Sequence, residues 1–134
     1  MTDIPDIVEL RVPRGAAALP LMRVVMGGFA SRHDLPLDQL DDLQLAVESL
    51  LAEEAESGDD LTLDVSGVDP GFRVRLGGLA NQSVRGTLMT ADPFQPCEGC
   101  LLDVRLLLGS LVDGYRVVET GAHSFAVEME KRAS

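Results

Sequence analysis

Two runs of strict alternation lie back to back in the middle of the chain. Leu61, Leu63 and Val65 alternate with Thr62, Asp64 and Ser66, and beyond Asp69-Pro70-Gly71 the residues Phe72, Val74 and Leu76 alternate with Arg73 and Arg75. Side chains on a strand point to opposite faces with a period of two, so each run has one apolar and one polar face. The turn residues between them join the two runs as an antiparallel hairpin. A lone hairpin is at best marginally stable in water, so the rest of the chain must supply more strands and a layer that covers the apolar face.

The flanking segments supply both. Val8, Leu10 and Val12 alternate with Glu9 and Arg11, a half-buried strand that Pro13 ends. From Pro20 the residues Leu21, Val24, Val25 and Phe29 recur at helical spacing, with proline tolerated in the first turn. Asp34-Leu35-Pro36 breaks that run, and Asp38 is expected to cap a second helix with an acid-rich first turn, a stripe of Leu40, Leu43, Val47, Leu50 and Leu51, and a stop at Gly58. Residues 77–100 hold Gly77, Gly78, Asn81, Gly86, Pro93, Pro96 and Gly99 without a sustained period and read as one long loop. Leu101, Val104, Leu107, Leu108 and Leu111 predict a third helix stopped at Gly114, and strands over Tyr115 to Thr120 and Phe125 to Lys131 follow around Gly121-Ala122.

The order β-α-α-β-β-loop-α-β-β predicts a single α+β domain over residues 1–134. It is a two-layer sandwich in which one mostly antiparallel five-stranded sheet is covered on one face by three helices. The other face, with Glu9, Arg11, Thr62, Asp64, Arg73, Arg75 and Glu128, is left to water or a partner.

A chain of 134 residues that is 46% hydrophobic has enough apolar material for one core without a metal or disulfide staple. With 22 acids against 11 bases and a net charge of −11, clustered cations are missing, and direct nucleic-acid binding is not expected. Four Phe, one Tyr and no Trp leave little to stack on bases. The stretch Leu19 to Ala30 is interrupted by Arg23 and too short to span a bilayer, and Met1 to Asp6 lacks the features of a signal peptide. The expected location is the cytoplasm, with reduced thiols.

Few side chains are grouped for chemistry. Cys97-x-x-Cys100 has thiol-redox spacing in the long loop, which makes a redox switch one candidate function and two incidental thiols the simpler one. Zinc would need four ligands, and His33 and His123 are isolated, so no metal site is expected. His33, at a helix end, complements the dipole. Glu53, Glu54, Glu56, Asp59 and Asp60 crowd the end of the second helix, where the dipole disfavours acids; they are either a solvated end or a site for a basic partner surface.

Residues 22–55, MRVVMGGFASRHDLPLDQLDDLQLAVESLLAEEA, resemble the first two helices of bacterial anti-sigma regulatory factors of the serine-kinase, GHKL-ATPase type. The similarity lies in helix, short Asp-Pro connection, then D-x-L-x-L-A-V. It continues through Leu106-Leu107-Leu108-Gly109-Ser110-Leu111-Val112-Asp113, Tyr115-Arg116-Val117 and the terminal Val127-Glu128-Met129-Glu130-Lys131-Arg132. The resemblance implies a homodimeric cytoplasmic regulator that binds a sigma factor or its antagonist in a partner-switching circuit, with Arg23 where family members present an arginine to the sigma factor. A snorkelling arginine packed on its helix is the alternative reading of Arg23. In active members a glutamate base and, four residues on, a magnesium-holding asparagine lie on the second helix. Those places fall on Ser49 and Glu53, with Glu48 one position early. Leu76-Gly77-Gly78-Leu79 lacks the aspartate that contacts adenine, and only Gly99 remains of the phosphate-cradling loop. The expectation is therefore a sigma-sequestering regulator with a degenerate nucleotide site and no cofactor. ATP with magnesium is expected only if that register is shifted, and an active serine kinase acting on an antagonist is the rival function.

Overall fold

The computed structural model describes residues 7–33, 35–68, 71–89 and 104–132. Five strands, β1 (Ile7–Val12), β2 (Leu61–Val68), β3 (Gly71–Leu79), β4 (Gly114–Glu119) and β5 (Phe125–Arg132), form one antiparallel sheet in the order β1-β2-β3-β5-β4. Four helices, α1 (Ala18–Arg32), α2 (Leu37–Leu51), α3 (Gln82–Met89) and α4 (Val104–Leu111), make the second layer.

Register turns the alternation into rows that cross the whole sheet. Val8, Val65, Val74, Met129 and Tyr115 form one row, and Leu10, Leu63, Leu76, Val127 and Val117 the next on the same face. Between them, on the opposite face, run Glu9, Asp64, Arg75, Glu128 and Arg116. The apolar rows meet Met22, Met26 and Phe29 of α1, Leu43, Val47 and Leu50 of α2 and Leu108 of α4 in one buried core. The polar face carries ion pairs of Arg73 with Glu130 and of Arg75 and Arg116 with Glu128. Asp64 lies opposite Glu9. Partial burial, then repulsion from Glu9, raise its carboxyl above the ordinary aspartate range, and Arg75 offsets part of this.

Several expectations are corrected. Helix α1 turns Met22 and Met26 inward, while Leu21 and Val24, expected on its buried face, are exposed. Nearly every residue of this segment is apolar, so its period suits more than one face, and packing against the sheet selects among them. Pro36, not Asp38, occupies the N-cap of α2, and Asp38 lies in the first turn. That helix ends at Leu51 with Ala52 as C-cap, well before Gly58.

The stretch 77–100 is not one loop where it is described: β3 runs on to Leu79, and α3 follows, making four helices among the described residues rather than the three expected. The Val84 N–H donates to Asn81 Oδ1 at 3.1 Å, a side-chain cap, and Val84 and Leu88, one turn apart, are both buried. Gly86 masks this short period in the sequence. The strand register shifts between Leu76 and Leu79, and Gly78, at φ +81°, leaves no room there for a side chain, since a Cβ would lie 2.3 Å from the Asp60 carbonyl oxygen.

Candidate functional site

The acids that the helix dipole disfavours at the end of α2 include one that is not solvated. Glu54 and Arg14, from the β1–α1 connection, pair at 2.9 Å with their side chains only 4% and 3% exposed. Glu54 also accepts backbone N–H bonds from Ala80 at 2.8 Å and Asn81 at 2.9 Å. Arg14 donates in addition to the carbonyls of Asp59 at 2.8 Å, Ala55 at 3.2 Å and Gly78. Asn81 donates its Nδ2–H to the Glu53 carbonyl at 2.6 Å. The knot ties the start of α1, the end of α2, the entry to β2 and the end of β3 together. Burying a charge pair is tolerable only when its remaining donors and acceptors are also met, and here they are.

Clefts flank the knot. One of about 590 Å³ is bordered by Glu53, Asp59, Gly78, Asn81 and His123, and one of about 390 Å³ lies between the start of α1 and the end of α2, bordered by Ala16, Leu51, Ala52, Glu48 and Glu56. The structure brings Glu53 and Gly78, two positions that the family resemblance marked for nucleotide, to the same cleft. Ser49 does not border it; its hydroxyl donates to the Leu45 carbonyl at 2.7 Å. Arg14, the one arginine bordering this cleft, spends four of its five N–H bonds inside the knot, and the charges facing outward are carboxylates. Among the described residues no three His, Cys, Asp or Glu side chains are placed to hold a metal ion.

Arg23 is not on the buried face of α1. It sits on the flank toward α2, half exposed, with its guanidinium 2.7 Å from the Glu48 carboxylate, and its carbonyl accepts from Gln44 Nε2 at 3.3 Å. Around this pair the helical layer leaves apolar side chains in water: Val24 is 73% exposed and Leu45 45%. His33 is the C-cap residue of α1, and its ring lies 4.3 Å from that of Phe29 and 6.1 Å from that of Phe72, so packing in an aromatic cluster accompanies its helix-end position. The His123 carbonyl accepts from Gln82 Nε2 at 3.1 Å. Cys97 and Cys100 lie outside the described residues.

Sequence reasoning missed Arg14 and Asn81. The available signals were an arginine directly before a glycine-led helix start, and acids where the dipole opposes them.

No family model matches the chain, and no curated protein is similar to it at a significant level. Among solved structures, a chain in the SiaB–SiaC complex from Pseudomonas aeruginosa shares the fold, with a TM-score of 0.60 over 92% of this chain and 88% of that one at 7% sequence identity. At that identity the likeness shows the fold alone.

Proposed function

We propose that the chain is a protein-binding regulator in a partner-switching circuit, one that sequesters a sigma factor or binds another component of the same circuit. The observation that carries this reading is the outer face of α1 and α2, where Val24 and Leu45 stand in water around the Arg23–Glu48 pair. Exposed apolar side chains grouped beside charged ones are what a recognition surface needs. Support also comes from the similarity of residues 22–55 to anti-sigma factors and from the shared fold with a chain that was solved in a two-protein complex.

The rival function, a serine kinase, finds less support. Phosphoryl transfer depends on groups that position the nucleotide and on metal-held charge. At the positions matched to the base and the metal ligand stand a serine bonded to its own helix and a glutamate, and the buried Arg14–Glu54 pair braces the adjoining cleft. Sequestration needs surface rather than chemistry. Homodimers, which the resemblance implies, form part of the same proposal.

Purified sigma factors of the host, titrated calorimetrically into the chain with and without Mg-ATP, test the proposal. One of them should bind with the same affinity in both conditions. Binding of none would overturn sigma sequestration, and a strict requirement for nucleotide would overturn the proposal in favour of the kinase.

A further inference from the structure

The partner surface just proposed has a chemistry of its own. Arg23 bonding to Glu48, and Gln44 bonding to the Arg23 carbonyl, set the middle of α1 against residues 44–48 of α2. Residues three or four apart share a helix face, so Val24 and Gly27 point outward from α1, and Asp38, Asp41, Leu45 and Glu48 outward from α2. A Cβ placed on Gly27 would find nothing within 4 Å, so nothing within the chain requires glycine there, and a neighbouring backbone could approach closely.

The charge that α2 brings to this face is acidic. No Lys or Arg occurs between Arg32 and Arg73, a stretch with twelve acids. Arg23 is paired with Glu48, and the other cation of α1, Arg32, lies in its last turn. Asp38 and Asp41 are exposed and form no ion pair among the described residues. At the end of the seam, the cleft of about 390 Å³ is lined by the buried Ala18 and Leu61 and the half-buried Leu51, with Glu48 and Glu56 also bordering it and Arg14 held in its ion pair with Glu54. That combination accepts the aliphatic stem of a long side chain and meets a cationic head at the rim.

We infer that the α1–α2 face docks a basic amphipathic helix of the partner protein, with apolar residues over Val24 and Leu45 and Lys or Arg side chains on Asp38, Asp41 and Glu56. The inference rests on the proposed function above and specifies its partner.

The full chain would be titrated, by fluorescence anisotropy, with two synthetic helical peptides of equal length and leucine spacing, one carrying lysines and the other glutamates on the polar face. The lysine peptide should bind, more weakly as salt is raised, while the glutamate peptide should not. Val24→Asp and the double variant Asp38→Lys/Asp41→Lys, all at exposed sites, should each weaken binding roughly tenfold or more. Binding of the glutamate peptide with loss on Arg23→Ala would keep the protein-binding reading and overturn the basic-helix one. Lysine-peptide binding indifferent to Val24→Asp would reduce the effect to diffuse net charge and overturn the docking face. Binding of neither peptide would overturn the basic-helix inference while leaving the sigma-factor titration to decide the broader reading.

Discussion

Arg14 and Glu54 are the residues on which the arrangement of the helical ends depends. Each is almost fully buried, so truncating one leaves the other as an uncompensated charge. Arg14→Ala is expected to destabilise the fold by about 3–5 kcal/mol in urea denaturation, and Arg14→Lys to recover only part of that, because an ammonium cannot reproduce the fork that reaches Glu54, Asp59 and Gly78 together. Asp64 works in the opposite sense. Its folded carboxyl titrates above its unfolded value, through burial first and Glu9 second, so the charged form opposes folding and protonation relieves it. Asp64→Asn should therefore be more stable than the parent near neutral pH. The gap should narrow as pH falls toward about 4, where the unfolded aspartate also takes up its proton. Denaturation curves of the two proteins at several pH values check the sign. The Glu9–Asp64 opposition could be anticipated once the strands were paired, since both fall on the polar phase of their runs. The Arg14–Glu54 pair could not, because it joins residues 40 positions apart that meet only when the sheet and helices close.

At the scale of elements, what the sequence made plain was what a strict period dictates. Strands with alternating residues have one solution for which side faces the core, and their register rows follow. Helix α1 was ambiguous because a nearly continuous apolar run offers several faces; α3 was hidden because eight residues with a central glycine give a period too short to notice. Anti-sigma resemblance pointed to Arg23, but its partner Glu48 emerges only from the packing of α1 on α2. The glycine pair Gly27-Gly28 inside α1 has open space at both Cβ positions. Either glycine changed to alanine should stabilise the protein by roughly 0.5–1 kcal/mol, read from the denaturant midpoint, because alanine loses less backbone freedom in a helix. Gly27→Ala should at the same time weaken peptide binding to the α1–α2 face, since it lies one turn from both Val24 and Arg23.

The whole molecule carries a charge of −11, with twelve of its acids in one stretch that holds no base. Self-repulsion of that kind opposes the compact state and is screened by salt. The melting temperature of the chain should rise when ionic strength is increased from about 10 mM to about 150 mM, over which the Debye length shortens from about 30 Å to about 8 Å; calorimetric melts at a fixed pH would show it. The same field that strains the fold draws a basic partner toward the helical layer. The central claim, that this chain works through the outer face of α1 and α2, is tested most directly by affinity capture from native host extract with the wild type and Val24→Asp side by side, followed by identification of what is retained. The account predicts that a sigma factor, or another protein of a partner-switching circuit, is recovered by the wild type and lost with Val24→Asp. Equal recovery by both forms, or recovery of no such protein by the wild type, would contradict it.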